Sequence, residues 1–312
     1  MSLAVVHDQS GDMTGLPEEA IHLPFEPGDF RMSMSLTAAP DSAWFELDAR
    51  YPDEMRQRRA LLAERHDEVF ASLPGSEDAC AETLELVAAH VPRTYPTWFH
   101  REDARLHNRL TGETWDLAPP ACDPLELAGR LVQEDLCIIQ DAEDGPRFTA
   151  AVLCFPSRWR LHDKLGRPLA AVHGPVPLYA DRLARPVDRF MRHVKPGHVA
   201  QRLNWSVMDD PALFQTGGHW RGGSNPAITA DNAGETLNLR VERQTLRRLP
   251  RSDAVLFGIR VHVYPLARAI ATPMLAAHLA AAIRALPTEI TRYKSLGTFS
   301  DALLGWLDNA ST

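Results

Sequence analysis

The stretch Ala254–Tyr264 reads AVLFGIRVHVY and carries an apolar side chain at every second position. The residues on that alternating face are Val255, Phe257, Ile259, Val261 and Val263. A period of two is the period of a β-strand with one buried face, whereas a helix repeats every 3.6 residues. This stretch therefore predicts the clearest β-strand of the chain.

Four other stretches have strand-like alternation or short apolar runs: Leu136–Gln140, Phe148–Phe155, His198–Met208 and Thr236–Val241. The first two flank the polar turn DAEDGP, which is typical of a β-hairpin. In the third, Leu203 and Trp205 face away from Arg202 and Asn204. The five predicted strands mostly lack the intervening helices that a parallel sheet requires. We therefore predict an α+β fold with an antiparallel five-stranded sheet.

Helical periodicity lies on both sides of the predicted strands. It predicts amphipathic helices at Asp53–Leu73 and Glu77–Val91, and further helices from Arg268 to Asp308. Residues 93–120 are rich in aromatic and turn residues and are expected to form a connector. The N-terminal segment, up to about residue 50, has many helix breakers and is expected to wrap the surface.

The chain has 312 residues, of which 45% are hydrophobic and 24% charged, so it is long enough to bury a large core. Its 33 lysines and arginines against 41 aspartates and glutamates give a net charge of -8, which argues against a nucleic-acid partner. No apolar run approaches the roughly 18 residues that span a bilayer, and MSLAVVHDQSGDM lacks a signal-peptide pattern. We therefore expect a cytoplasmic protein without a membrane partner.

Motifs of several common enzyme classes are absent from the sequence. The cysteines at 80, 122, 137 and 154 form no C-x-x-C pair, so buried thiols are expected rather than a zinc ribbon, an iron–sulfur cluster or a redox dithiol. The sequence also lacks G-x-S-x-G, G-x-x-x-x-G-K-[ST], G-x-G-x-x-G and H-E-x-x-H. Their absence disfavours a serine hydrolase, a P-loop enzyme, a dinucleotide-binding oxidoreductase and a zincin.

His173 is the first candidate for a functional residue. It stands in an apolar stretch, AAVHGPVP, where Pro175 and Pro177 restrict the backbone that follows it. A neutral imidazole costs little to bury, and its second nitrogen can bond a backbone carbonyl, as in an axial ligand to iron. The alternative is a hydrogen-bonded core histidine, which the spacing alone favours. His162, in the polar sequence LHDK, is expected to be solvated.

Two arginine-rich stretches form a second candidate site, RLNW at 202–205 and NLRVERQTLRRLP at 238–250. A helix that begins near Val241 would place Glu242 on a stripe with Leu246 and Leu249. A carboxylate among apolar side chains needs a cationic partner, and Arg202 is the candidate. The two residues would form either a catalytic pair or a structural salt bridge, and the bridge is the simpler interpretation.

A glycine-rich stretch, TGGHWRGGSNP at 216–226, carries His219 and Arg221. Its backbone N–H groups could cradle an anion, although a mobile surface loop is the simpler interpretation because no helix pattern follows it directly.

The chain resembles the haem-dependent oxidative N-demethylase α-subunit-like family. The resemblance is carried by FPSRWRLHDKLGRPLAAVHGPVP, RLNWSVMDDPALF, LRVERQTLRRLPRSDAVLFGIRVHVYPL and TRYKSL. Toward the N-terminus, PFEPGDFRMSMSL, WFELDARY, SLPGS and RTYP also resemble the family. These motifs follow one another in order from about Phe25 to Tyr293, so the resemblance covers most of the chain.

The resemblance implies a PAS-like antiparallel sheet that binds haem b and supports oxygen-dependent removal of a methyl group from a secondary amine. Electrons would come from separate flavin and iron–sulfur components. The expected division is a wrap and helical segment at 1–120, a PAS-like haem-binding core at 121–265 and C-terminal helices at 266–312 that pack on the core as one compact unit.

The resemblance also implies roles for single residues. His173 would ligate the iron, and the other expected cofactor contacts are Pro175, Trp205 and Arg243. Glu242 would bind the ammonium group of the amine or accept its proton, and Arg202 would orient Glu242 or stabilise iron-bound oxygen.

The expected function is therefore dioxygen-dependent oxidation of a small amine, in which a carbinolamine or iminium hydrolyses to an aldehyde, with a separate reductase as partner. Two alternatives stay open: a haem-PAS sensor without turnover, and a paralogue that oxidises another nitrogen-containing metabolite.

Overall fold

The computed structural model describes residues 15–218 and 225–312, together with the backbone of Val5–Val6. Within these ranges the strands are β1 Val5–Val6, β2 Ile21–His22, β3 Thr37–Ala39, β4 Phe70–Ser72, β5 Phe99–Glu102, β6 Arg105–Asn108, β7 Glu113–Asp116, β8 Asp135–Gln140, β9 Arg147–Val152, β10 Val199–Met208, β11 Asn238–Arg248 and β12 Val255–Pro265.

The α-helices in the same ranges are α1 Tyr51–Glu64, α2 His66–Val69, α3 Glu77–Thr94, α4 Pro124–Gly129, α5 Leu169–Val172, α6 Tyr179–Arg182, α7 Ala184–His193, α8 Ala233–Thr236, α9 Leu266–Ala269, α10 Pro273–Arg284, α11 Thr288–Tyr293 and α12 Ser300–Ala310. Two of them begin at a proline after a capping side chain. The carboxylate of Asp123 accepts a hydrogen bond from the Leu125 N–H at α4, and the Thr272 hydroxyl accepts one from the Leu275 N–H at α10.

The central sheet has the order β3-β10-β11-β12-β8-β9-β4, and every neighbouring pair is antiparallel. The five strands predicted from the sequence are its contiguous inner strands, β10-β11-β12-β8-β9. The predicted α+β fold with an antiparallel sheet is confirmed. The sheet has seven strands rather than five, because β3 and β4 extend its edges. Each has only three residues, too few to show a period of two.

The predicted connector at 93–120 contains a sheet of its own. Strands β5, β6 and β7 form a three-stranded antiparallel meander in this stretch. The first predicted helix, Asp53–Leu73, is also shorter than expected, because α1 and α2 end at Val69 and the chain continues as β4. The predicted helix at Glu77–Val91 is confirmed as α3, and the C-terminal helices are confirmed as α9 to α12.

The prediction of a helix that begins near Val241 is wrong. Residues 238–248 form β11, a central strand paired on one side with β10 and on the other with β12. Its two neighbours satisfy its backbone hydrogen bonds, and its buried arginines hide the alternation that would identify a strand.

The central sheet has two faces with different partners. Asn204 and Glu242, paired across β10 and β11, lie on the face that we call the cavity face. Arg243 and Arg260, paired across β11 and β12, lie on the opposite face, which contacts α1 and the segment before it and which we call the α1 face. Since strand residues alternate between faces, β11 contributes polar side chains to both.

The hydrophobic core is divided by the sheet and its helices. One large cluster joins α1, α3 and α4 to β8 and β9, while a second joins α9, α10 and α12 to β10, β11 and β12. A third, smaller cluster surrounds Leu169 and Met191 and borders the cavity face. Among the helices of the described ranges, none has both the length and the apolar character needed to cross a lipid bilayer.

Candidate functional site

A cavity of about 520 Å³ lies against the cavity face. Its apolar lining comes from the sheet and from α5 and α7: Ile139, Leu169, Val172, Val187, Phe190, Met191, Leu246 and Phe257. Its polar lining includes Ser157, Lys164, Arg202, Asn204, Arg240, Glu242, Gln244 and Lys294. Side chains of the segment between Pro24 and Leu36 complete the wall. This volume lies within the range of ligand and cofactor sites, roughly 300–1,000 Å³.

His173 lies at the C-terminal end of α5 and lines this cavity. Its Nδ1 is 2.9 Å from the carbonyl oxygen of Leu169, which can only accept, so Nδ1 carries the hydrogen. The ring stacks on Tyr179 with centroids 4.4 Å apart and an interplanar angle of 10°. Burial lowers the pKa of His173 to about 4, so the imidazole is neutral at pH 7. Its Nε2 therefore presents a lone pair, and in the described residues no protein group hydrogen-bonds to it.

Glu242 is held by hydrogen bonds to both of its carboxylate oxygens. The Ser157 hydroxyl donates to Oε1 at 2.5 Å, while the side-chain amides of Asn204 and Gln244 donate to Oε2 at 3.2 and 2.8 Å. Burial opposes ionisation, but the hydrogen bond from Ser157 and the charge of Arg240 outweigh it and hold the pKa of Glu242 below its usual value. The cavity therefore contains a fixed carboxylate at neutral pH.

Ser157 is itself positioned by Arg240. The Nε of Arg240 donates to the Ser157 hydroxyl at 2.8 Å, and its other nitrogens donate to main-chain carbonyls, including those of Phe155 and Leu213. The guanidinium thereby fixes the loop after β9 against β11. This arrangement leaves the serine hydroxyl proton to be donated to Glu242.

Arg202 lines the same cavity from β10. Its Nε is buried without a hydrogen-bond partner, and burial lowers the pKa of the guanidinium, although Glu242 acts in the opposite direction. A buried polar group usually has a partner, because leaving it unpaired costs about 1–3 kcal/mol. Arg202 is therefore a cation available to a bound anionic group.

Two lysines add positive charge to the cavity. The Nζ of Lys164 lies 4.1 Å from the centroid of the Trp159 ring, and the Nζ of Lys294 donates to the carbonyl oxygen of Trp205 at 2.5 Å. Burial lowers the pKa of each lysine to about 8. Among the described residues neither lysine forms an ion pair with a carboxylate, although the charge of Glu242 partly offsets the effect of burial on both pKa values.

The structure brings four of the predicted site residues to one cavity, namely His173, Arg202, Trp205 and Glu242. The indole of Trp205 packs edge-on against Phe25, with ring centroids 5.8 Å apart. The predicted pairing of Arg202 with Glu242 is not observed: in the described residues they share neither a hydrogen bond nor an ion pair. Because β10 and β11 are in register, Arg202 lies opposite Gln244 instead.

Two other predicted residues do not line the cavity. Pro175 follows His173 but is exposed and lies outside the cavity wall. Arg243 points to the α1 face, where it donates to the carbonyl oxygens of Ala43 and Trp44 and lies 3.3 Å from Glu46. This is a consequence of β11 being a strand, since Glu242 and Arg243 must then face opposite sides.

Sequence reasoning missed several polar lining residues. Asn204 and Gln244 could have been found from strand alternation, because both lie two positions from a predicted site residue. Ser157, Lys164 and Lys294 lie within the family motifs quoted above, but strand alternation gives no signal for them, since they reach the cavity from segments outside the sheet. His162 is exposed and contacts the Asp67 carbonyl, as expected of a solvated histidine. Residues 219–224 of the glycine-rich stretch lie outside the described residues.

Comparison with known protein families identifies the family to which this chain belongs. A family model described as haem-dependent oxidative N-demethylase, alpha subunit-like, matches residues 35–304, which is most of the chain. The chain belongs to this family. The resemblance drawn from the sequence motifs is thereby confirmed. The family name describes a haem-dependent oxidative protein, and the word subunit implies a partner chain.

The cavity of this family member has the features that a haem requires. A haem needs an apolar slot, an axial ligand and cationic partners for its two propionates. The apolar lining would supply the slot, and the free Nε2 of His173 would supply the ligand. Arg202, Lys164 and Lys294 supply positive charge without carboxylate partners in the described part of the chain. The residues present therefore fit the cofactor that the family name implies.

Proposed function

We propose that this chain is the haem-binding subunit of an enzyme that removes an alkyl group from a small amine by oxidation with dioxygen. The observation that carries the proposal is the pairing of two features in one cavity: a neutral histidine with a free Nε2 and a fixed carboxylate, Glu242. The histidine suits iron, and the carboxylate suits a cationic amine.

In this proposal His173 is the iron ligand of haem b. Its Nδ1–H donates to the Leu169 carbonyl, which fixes the tautomer and the direction of Nε2. Because its pKa is about 4, protonation does not compete with ligation near neutral pH. Arg202, Lys164 and Lys294 bind the propionates, and the apolar residues around Leu169 and Met191 exclude water from the ring.

When bound, haem supplies the oxygen activation needed to oxidise a carbon next to nitrogen. Glu242 binds the ammonium group of the substrate and accepts its proton, since the free amine is the form that is readily oxidised. A carboxylate offers about four lone-pair positions, and three hydrogen bonds leave room for a further donor. Ser157, Asn204 and Gln244 keep Glu242 in place during this exchange. Dioxygen and two electrons from the external carriers would oxidise the carbon next to nitrogen, giving a carbinolamine directly or an iminium that adds water, and cleavage of the carbinolamine C–N bond would release an aldehyde and the dealkylated amine.

The protein core is proposed to be PAS-like, with the boundaries 121–265 expected from the sequence. Support comes from the five contiguous antiparallel strands, in which the hairpin β8-β9 lies beside the last strand, β12. Electrons are proposed to come from separate flavin and iron–sulfur components. The sequence supports this, because it has no G-x-G-x-x-G turn and its four cysteines match no cluster spacing.

Turnover with defined electron donors tests the proposal. The haem-loaded protein is supplied with NADPH, oxygen and a secondary amine, with and without a flavin and iron–sulfur reductase, and formaldehyde is measured. We expect release only with the reductase. Release from NADPH without it would contradict the need for external carriers. A haem-loaded protein that shows no amine-dependent product with reductase or with peroxide would instead favour a sensor without turnover.

A further inference from the structure

A second cluster of ligand-type side chains lies on the α1 face, across the central sheet from the haem cavity. It consists of His22 on β2, Glu46 in the segment before α1 and His262 on β12. The two imidazole rings have centroids 4.8 Å apart, and the carboxylate of Glu46 lies beside both. None of these residues is needed for the function proposed above.

The distances within the cluster are close to those around a metal ion. His22 Nε2 is 3.0 Å from Glu46 Oε1, and His262 Nε2 is 3.9 Å from Glu46 Oε2. All three ligand atoms lie within 4.8 Å of one another. Ligands held about 2.0–2.2 Å from one ion lie roughly 3.3–3.5 Å apart, so small side-chain shifts would complete the site.

His262 provides an independent indication of a missing ligand. The side chain is fully buried, yet neither Nδ1 nor Nε2 has a hydrogen-bond partner. Buried polar atoms without partners are rare because they lose their hydration without compensation. The Nε2 atom faces Glu46 and His22, so an ion between the three residues would satisfy it.

The other nitrogen of His262 has the surroundings expected of a metal ligand. Its Nδ1 lies 3.5 Å from a carboxylate oxygen of Glu19 and 4.0 Å from one of Asp48. Metal-bound histidines usually donate their second N–H to a carboxylate or carbonyl, which orients the ring and strengthens the ligand. Glu19 and Asp48 are placed for that role.

Access to the cluster is provided by a second cavity of about 390 Å³. His22, Glu46, Asp48 and Arg243 line it, so two of the three ligand side chains border open space. Arg243 lies 3.3 Å from Oε2 of Glu46, whereas Oε1 lies 3.0 Å from Nε2 of His22, which is itself a proposed ligand. Three protein ligands would leave at least one coordination position directed toward this cavity.

We propose that His22, Glu46 and His262 bind a divalent transition-metal ion of the Zn²⁺ type. Two imidazoles and one carboxylate form a ligand set that suits zinc or ferrous iron rather than magnesium or calcium.

The zinc content of the purified protein tests the proposal directly. Untagged protein as purified is incubated with excess Zn²⁺, desalted and assayed by elemental analysis, which distinguishes zinc from haem iron. We expect about one zinc per chain in the wild type and in His173→Ala. Glu46→Gln and His22→Gln should each bind zinc at least ~10-fold more weakly, since even losses outside the ligand shell cost that much.

His66→Gln is the matched control, because His66 also pairs with a glutamate, Glu126, at 2.9 Å, but away from the cluster. It should retain the wild-type zinc content. Folding is checked independently by thermal unfolding, in which zinc should raise the midpoint of the wild type but not of His22→Gln or Glu46→Gln. Wild-type protein that takes up no zinc, or cluster variants that take up as much as the wild type, would overturn the proposal.

Discussion

Nδ1 of His173 donates a hydrogen bond to the main-chain carbonyl of Leu169 at 2.9 Å, so the orientation of the imidazole is set by one turn of its own chain. The donor and acceptor are four residues apart, and they lie at the two ends of the short helix α5, which Pro168 precedes as its N-cap. A main-chain acceptor cannot be removed by a side-chain substitution. The tautomer with a free Nε2 is therefore built into the backbone of this segment.

The first prediction is that His173→Ala abolishes or grossly alters the Soret band of the haem-loaded protein. The variant loses the only histidine of the described residues that lines the 520 Å³ cavity, while the fold should persist because the ring is only half-buried. Added imidazole should restore part of the band by occupying the vacated space. His162→Ala and His193→Ala, which remove exposed histidines, serve as controls and should leave the spectrum unchanged.

The second prediction concerns Glu242. Glu242→Gln keeps the size of the side chain but removes its charge, so the protein should retain haem and lose amine turnover by about 10²-fold or more. Steady-state formaldehyde release and the Soret band are measured on the same preparation. Turnover near the wild-type level would remove Glu242 from the mechanism, whereas failure to fold would support a purely structural role.

The third prediction concerns Ser157→Ala, which leaves the carboxylate of Glu242 in place and changes only its surroundings. It removes a hydrogen bond that stabilises the ionised form, so the pKa of Glu242 should rise. Activity that needs the carboxylate is lost when pH falls through that pKa, and the acidic limb of the pH–rate profile should therefore move to higher pH. An unshifted limb would show that another group controls it.

The sequence predicts the five inner strands because each contains either alternating apolar and polar residues or a short apolar run. The edge strands β3 and β4 and the meander β5–β7 escaped prediction, since strands of three or four residues carry too little periodicity. The sequence does not reveal the later part of β11 as a strand, because Arg240, Glu242 and Arg243 are all buried, which is unusual for charged residues. Each has partners that only the tertiary fold supplies.

Those residues of the candidate site that stand in a recognisable sequence context could be predicted. His173 could be singled out from its proline-rich context, and Glu242 from an apolar setting, although the secondary structure assumed for Glu242 was wrong. Lys164 and Lys294 reach the cavity from segments 130 residues apart in the chain, and no local pattern brings them together. The same applies to the cluster around His262.

The fourth prediction concerns the stability of the α1 face. Arg260 is fully buried and lies 2.6 Å from Asp48 and 2.7 Å from Glu54, joining β12 to α1 and the segment before it. Arg260→Ala leaves both carboxylates buried and unpaired, so the free energy of unfolding should fall by about 3–5 kcal/mol. The control is Arg284→Ala, which breaks a half-exposed pair with Asp308 and should cost at most ~1 kcal/mol. Equal losses in denaturant titrations would contradict this view.

The last prediction is that haem binding weakens as pH rises above about 8. Burial lowers the pKa of both Lys164 and Lys294 to about 8 in the haem-free protein, whereas an unfolded lysine titrates near 10.5. Both ammonium groups are charged below pH 8 and can bind propionates, and both lose their charge as pH rises through that value. Bound propionates raise the two pKa values again, so haem affinity measured by spectral titration should decrease steadily from about pH 8 to pH 10.

Lys164→Gln and Lys294→Gln separate this effect from alkaline unfolding. The depressed pKa values mean that the haem-free folded protein binds fewer protons than the unfolded chain between pH 8 and 10.5, so these lysines make it more stable as pH rises through that range. Unfolding therefore cannot explain a loss of haem affinity that these groups cause. The double variant should bind haem more weakly at pH 7 and show a flatter dependence above pH 8. If the double variant bound haem with the wild-type affinity and the wild-type pH dependence, other cations of the cavity would have to bind the propionates.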